Sequence, residues 1–162
     1  MTPTTRSRLL LLCAFFSFGA VSIALVSQHV FDMPPCAWCV FQRLIYVVFG
    51  LVCLAGAWSG PAAGRIWAGI AALLAAGGVL AAWYQHSVAA EMFSCDQTFA
   101  DQFMVRSGLD GLLPEVFGIF ATCMDAKVQV FGVEYAIWSL ALFAVLAVMT
   151  GSATRATRRV HP

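Results

Sequence analysis

Four long apolar stretches constrain this chain more than any other feature. Each approaches the length of about 20 residues that a helix needs to cross a lipid bilayer. The chain is 61% hydrophobic and only 10% charged, whereas a soluble domain has about 25% charged residues. The pattern therefore predicts an all-α membrane protein, a four-helix transmembrane bundle in a single integral membrane domain, 1–162. The expected spans are about 9–27, 40–58, 66–86 and 132–150, and the outer loops are 28–39 and 87–131.

The first apolar stretch also has features of a signal peptide, because Arg6 and Arg8 precede it. The apolar region of a signal peptide is usually about 7–15 residues long and leads to a small-x-small cleavage site. Leu9–Val26 contains 18 residues without a charge, and no convincing cleavage site precedes Gln28. We therefore expect a first span that is retained.

Charged residues are divided between the two ends of these spans. Six of the nine basic residues lie at the N-terminus, in the turn between the second and third spans, and in the C-terminal tail. The eight acidic residues all fall on the other side, in the two remaining loops or at the start of the fourth span: Asp32, Glu91, Asp96, Asp101, Asp110, Glu115, Asp125 and Glu134. The positive-inside rule then predicts that both termini are cytoplasmic and both loops periplasmic. No basic face outside the tails suggests a nucleic-acid partner.

A Cys-x-x-Cys motif begins the second span. Pro34 and Pro35 precede it, and because proline is excluded from a helix interior but suits the first turn, a helix should begin close to Cys36. Free N–H groups and the positive end of the helix dipole would then lower the pKa of a thiol there. Cys36, Cys39 and Arg43 follow i, i+3, i+7 spacing, so they share one helix face.

The second outer loop contains two further cysteines, Cys95 and Cys123. All four loop cysteines therefore lie on the predicted periplasmic side, where disulfides persist. Cys13 and Cys53 lie within spans, and we interpret both as small apolar residues. The same loop has apolar residues at helical spacing, which predicts a short helix at the membrane interface. These residues are Leu112, Leu113, Val116, Phe117, Ile119 and Phe120.

Three kinds of chemistry remain open for the four loop cysteines. Structural zinc would normally use a second close pair, whereas Cys95 and Cys123 are far apart in the chain. A non-enzymatic scaffold with structural disulfides is a second possibility. However, a Cys-x-x-Cys disulfide closes a very short loop and restricts the unfolded chain little. Two pairs in separate loops favour an electron relay by thiol–disulfide exchange.

A relay needs an acceptor, and the chain has no recognisable nucleotide, haem or flavin motif. A quinone dissolved in the membrane, either ubiquinone or menaquinone, fits because it accepts two electrons, the number that a dithiol supplies. Arg43 and His86 lie at the same predicted depth and could bind its oxygens. His29 has no such support and is interpreted as structural.

The motif Pro-Cys-Ala-Trp-Cys-Val-Phe-Gln-Arg resembles the Pro-Cys-x-x-Cys-x-x-x-Arg signature of the DsbB family, the disulfide bond formation protein B family. Trp83–His86, the separate Cys95 and Cys123, and the four-span layout extend the resemblance over nearly the whole chain. Gln42 departs from the pattern, since some members carry an acid before the arginine. The electrostatics around Arg43 should differ accordingly.

The resemblance implies a role for each site residue. Cys95 would form a mixed disulfide with a periplasmic thioredoxin-like protein similar to DsbA, and Cys123 would complete that pair. Cys36 would exchange with Cys123, and Cys39 would pass electrons to the quinone. Arg43 looks like the quinone-site arginine of the family, and His86 like its quinone-proximal histidine. The resemblance also implies an enzyme of the bacterial inner membrane.

Overall fold

Four long helices dominate a computed structural model that describes residues 3–89 and 98–155. The helices are α1 (Pro3–Val30), α2 (Ala37–Trp58), α3 (Pro61–Ser87), α4 (Phe99–Ser107), α5 (Leu109–Leu112), α6 (Pro114–Phe117) and α7 (Tyr135–Arg155). Strands β1 (Gln129–Val130) and β2 (Val133–Glu134) form a small antiparallel hairpin before α7. Of the described helices, α1, α2, α3 and α7 are long and apolar enough to cross a membrane. This arrangement confirms the predicted four-helix bundle.

The sequence explains where the second and third long helices begin. Cys36 has extended backbone angles and caps α2, directly after Pro34 and Pro35. Pro61 occupies the first position of α3 after the turn at Gly60. Proline is favoured there because the first turn of a helix does not use its N–H groups internally. The prolines thus separate α1 from α2 and α2 from α3.

Small residues allow the long helices to pack closely. Ala68, Ala71 and Ala75 on α3 are fully buried in the main core. At Gly78 an added Cβ atom would overlap the Phe143 ring of α7. In lipid, where the hydrophobic effect does not drive helices together, such close approach stabilises their association by van der Waals packing. Helix α3 accordingly packs against both α2 and α7, whereas α1 touches α7 much less.

Many large apolar side chains face outward. Phe15, Leu73 and Val148 are each more than 70% exposed. A soluble protein rarely exposes contiguous apolar surface on this scale. The outer surface of the bundle therefore fits a multi-pass membrane protein.

Cys13 and Cys53 meet in the centre of the bundle. Both are fully buried, and their thiols share a hydrogen bond between α1 and α2. They pack with Leu10 and Phe49, as small apolar residues would.

The second outer loop folds differently from the expectation of one helix through residues 112–120. Leu113 leaves helical geometry, and Pro114 starts a new turn because its ring cannot continue the preceding helix. Gly118 is extended. The apolar spacing is therefore divided between two single turns, α5 and α6, and an extended segment, so the expected short interfacial helix is not confirmed.

The longest helix of this loop is α4, which the apolar spacing did not indicate. The Thr98 side chain accepts a hydrogen bond from the Asp101 N–H, and Gly108 ends the helix in the left-handed region, with φ of 69°. These are ordinary helix start and stop signals. Phe99 and Phe103 of α4 contact Phe41 of α2 edge-on, which holds the loop against the bundle.

Candidate redox site

Cys36 and Cys39 lie together at the start of α2. Their sulfur atoms are 3.2 Å apart, which is hydrogen-bond distance for two thiols and longer than the roughly 2.05 Å of a disulfide. Cys36 is fully buried, whereas Cys39 is half-buried. The structure thus places the pair on one helix face, as the spacing predicts.

The pKa of the Cys36 thiol is raised, whereas its position at the start of a helix predicts a lowered pKa. The side chain makes no capping hydrogen bond to the helix. Its hydrogen bond with Cys123 raises the pKa of the Cys36 thiol to about 12, burial adds to this, and the hydrogen bond with Cys39 opposes it. Contact with the Cys123 thiol and removal from water both disfavour the thiolate, and together they outweigh the pKa-lowering effect of the helix N-terminus.

The structure brings Cys123 from the second loop to Cys36. Cys123 is 2% exposed and packs in one cluster with Cys36, Ala89 and Ala100. The main-chain N–H of Phe120 donates to the Pro35 carbonyl at 3.0 Å, which fixes the end of the loop beside the motif. Cys95 lies outside the described residues.

A cavity of about 710 Å³ opens beside Cys39. Residues of α1 and α7 form its walls, and Pro34, Pro35 and the outer half of α2 close it. Most of the lining is apolar; the polar groups are Ser27, Gln42, Arg43, Tyr46, Gln85, Tyr135 and Ser139. Of the cysteines that the structure describes, Cys39 alone lines this cavity. Its size and polarity are typical of a site for a small organic molecule.

Arg43 is buried at the cavity and joins three parts of the chain. It is 4% exposed, and Nη1 donates to Gln28 Oε1 of α1 at 2.8 Å and to the Val116 carbonyl of the second loop. Its Nε is buried without a hydrogen-bond partner among the described residues. An unpaired buried donor is costly, so Arg43 retains binding capacity for an acceptor in the cavity.

His86 does not line the cavity with Arg43. Its Nδ1 donates to Glu134 Oε2 at 2.6 Å, which ties the end of α3 to the start of α7. It lies instead with Cys123 and Lys127 around a small neighbouring pocket. The structure therefore separates two side chains that the sequence places at the same depth.

Gln85, the neighbour of His86, occupies the position beside the cysteines. Its Nε2 donates to Cys39 Sγ at 3.1 Å, and the Cys36 sulfur is 3.7 Å away. Gln42 Nε2 in turn donates to Gln85 Oε1 at 2.5 Å. No sequence pattern assigns a role to Gln85, because the rotation of α3 against α2 decides which of two adjacent polar residues faces the thiols.

Comparison with known proteins identifies related chains. The family model described as Disulfide bond formation protein DsbB matches residues 6–153. A protein named Disulfide bond formation protein B from Ralstonia nicotianae is 33% identical over 138 residues, covering 85% of this chain and 86% of that protein. The protein of the same name from Stutzerimonas stutzeri is 33% identical over 135 residues, covering 80% and 82%. Disulfide bond formation protein B 1 of Pseudomonas aeruginosa is 31% identical over 148 residues, covering 87% and 90%.

Proposed function

The chain belongs to the disulfide bond formation protein B (DsbB) family, and on this basis we propose that it oxidises a periplasmic dithiol protein similar to DsbA and reduces a membrane quinone. Membership of the family makes it a disulfide-forming membrane oxidoreductase. The partner, the acceptor, the inner-membrane location and the cytoplasmic termini are parts of the proposal. Ubiquinone and menaquinone are both suitable acceptors.

The proposed reaction balances as two successive dithiol–disulfide exchanges and one reduction. A partner thiolate attacks the Cys95–Cys123 disulfide at Cys95, and the second partner thiolate then releases Cys95 as the partner disulfide forms. Cys123 next attacks Cys36 of the Cys36–Cys39 disulfide, and Cys95 closes the first pair again. Cys36 and Cys39 are left reduced, and their disulfide is restored when two electrons and two protons pass to the quinone.

One observation carries the proposal: Cys39 lies between the Cys36 sulfur and the cavity. Cys36 is within hydrogen-bond distance of Cys39 on one side and contacts Cys123 on the other. Cys39 also borders the 710 Å³ cavity, whose walls include apolar residues of α1 and α7. A chain of three neighbouring sulfurs that ends at a largely apolar cavity suits electron transfer to a hydrophobic acceptor.

The residues of the cavity fit a quinone. Its apolar walls suit a hydrophobic ring and tail, and the Nε of Arg43 is a buried donor that a carbonyl oxygen would satisfy. When bound, a quinone supplies an acceptor for two electrons and two protons. Such a strong acceptor is needed because DsbA has a reduction potential near −120 mV, and in bacteria the DsbA–DsbB–quinone system keeps the periplasm oxidising.

The proposal is tested by Cys39→Ser in the purified full-length protein. With reduced DsbA-type protein and quinone supplied, we expect quinone reduction to be abolished. Serine cannot form the Cys36–Cys39 disulfide, whose re-formation passes two electrons to the quinone. The matched control is Cys13→Ala, which removes a sulfur that lies away from the cavity and should retain turnover. Undiminished turnover in Cys39→Ser would contradict the relay.

A further inference from the structure

We infer that Gln85 is a catalytic residue, whose side-chain amide stabilises the Cys39 thiolate that forms during turnover. The inference rests on the proposed function and adds a residue to the same site. Gln85 is 8% exposed, and its Nε2 is 3.1 Å from Cys39 Sγ. A hydrogen bond to an ionised acceptor is stronger than one to a neutral acceptor. The contact therefore strengthens as negative charge develops on the sulfur.

The orientation of the Gln85 amide is set by a chain of hydrogen bonds that crosses three helices. Ser139 Oγ of α7 donates to Gln42 Oε1 at 2.6 Å, which leaves the Gln42 NH₂ group to donate to Gln85 Oε1. The Gln85 NH₂ group must then face the sulfur. Gln42 and Ser139 act through Gln85 and are positioning residues.

The far end of this chain is also fixed. Tyr46 of α2 has its hydroxyl 3.1 Å from both the Ser139 carbonyl and Ser139 Oγ. Because Ser139 uses its own proton towards Gln42, the single Tyr46 proton is shared between the Ser139 carbonyl and Ser139 Oγ. Every donor in the chain thus points towards Cys39, and aligned hydrogen bonds polarise one another in a buried environment.

The other groups around Cys39 do not replace this donor. Arg43 and Tyr135 interact with Cys39 electrostatically, but Arg43 Nη1 is bound to Gln28 and to the second loop. Cys36 contacts Cys39 directly and is itself hydrogen-bonded to Cys123. Among the described residues, Gln85 supplies the side-chain amide that contacts this sulfur from another helix.

The test is the rate at which iodoacetamide alkylates Cys39, measured by peptide mapping across a range of pH. It uses the reduced full-length protein with neither quinone nor partner protein. In Gln85→Leu, we expect alkylation near neutral pH to slow about tenfold, as for loss of one hydrogen bond to a charged group. The pH profile should move to higher pH, while the limiting rate at high pH is retained. Ser139→Ala should change the profile in the same direction by less, and Ser139→Thr should restore it.

The control is Gln129→Leu, which changes an exposed glutamine of β1 and should leave the profile unchanged. A Gln85→Leu profile that coincides with the wild type overturns the inference. An equal slowing at every pH also overturns it, since that result indicates altered access to the sulfur. If Gln85→Leu does not fold, an unchanged profile in Ser139→Ala overturns the inference. Because no quinone is present, failure here is distinct from loss of turnover in the proposed function.

Discussion

At the scale of single residues, the site combines thiols with neutral and cationic donors. Cys39 has the amide of Gln85 within hydrogen-bond distance, whereas Arg43 lies one turn further along α2, and its Nε has no hydrogen-bond partner in the described part of the chain. The two donors are therefore available to different acceptors, Gln85 to the sulfur and Arg43 to a molecule in the cavity. Gln42, the neutral residue that precedes Arg43, is hydrogen-bonded to Gln85 and Ser139. Arg43 is thus left without a neighbouring carboxylate from that position.

Arg43→Ala should weaken use of the quinone while leaving the cysteine pairs able to form. We expect the apparent KM for quinone to rise about tenfold, which corresponds to the loss of one charged hydrogen bond to an acceptor. Steady-state kinetics with varied quinone would measure this change. Arg106→Ala, which removes an exposed arginine of α4, is the control and should have no effect. An unchanged KM in Arg43→Ala would show that Arg43 does not bind the quinone and serves only to join α2 to Gln28 and the second loop.

Residue spacing identified Cys36, Cys39 and Arg43 as neighbours because all three lie on one helix. Spacing along a single helix cannot show which residues of another helix face them. For that reason Gln85 had no assigned role, and His86 was placed with Arg43 although it bonds Glu134 instead. The raised pKa of Cys36 also depends on its tertiary contact with Cys123, which no local signal at the helix start contains.

At the scale of elements, the second outer loop contains short helices, of which α4 and α6 contact α2. Phe117 of α6 and Met104 of α4 are buried against Val40 of α2. The long apolar helices were predictable because roughly 20 apolar residues have few alternatives in a membrane. The structure of the loop was not predictable in this way, because Pro114 and Gly118 interrupt an apolar pattern that otherwise has helical spacing. The start signal at Thr98 could have indicated α4.

The packing of this loop assigns different tasks to its two cysteines. Cys123 is 2% exposed and lies against Cys36, so a soluble partner has little access to it. We therefore expect Cys95 to be the residue that meets the partner. In Cys123→Ser, the Cys95 thiolate should open the disulfide of an oxidised DsbA-type protein and form a mixed disulfide, leaving one thiolate on the partner. Without Cys123 this complex can only revert by attack of that partner thiolate, so a fraction of it should persist at equilibrium.

Non-reducing electrophoresis would detect this complex as a band that dithiothreitol removes. The double variant Cys95→Ser/Cys123→Ser is the control and should give no such band. A complex that persists in the double variant would show that another cysteine meets the partner. Absence of the complex in Cys123→Ser would count against the proposed order of exchange.

At the scale of the whole molecule, the charges of the described residues separate along the bundle. Arg6 is buried at the end of α1, and its Nη1 donates to the Pro61 carbonyl of the turn between α2 and α3 at 2.8 Å. At the opposite end, Glu115 contacts His29 and Glu134 contacts His86. In the orientation that we propose from the positive-inside rule, the basic end faces the cytoplasm. The redox site would then lie at the periplasmic end of the bundle.

This orientation predicts which positions a membrane-impermeant maleimide can reach in spheroplasts. Gln129→Cys places a thiol in the hairpin near the redox site, and Gly60→Cys places one in the turn at the basic end, where an added Cβ meets no other atom. We expect Gln129→Cys to be labelled in spheroplasts and Gly60→Cys only in inverted vesicles, with the unmodified protein giving the background signal. Labelling of Gly60→Cys from outside would place the four loop cysteines in the reducing cytoplasm, where their disulfides would not persist. The relay depends on the opposite orientation, because a quinone can draw electrons from the periplasm only if the thiols that receive them lie on that side.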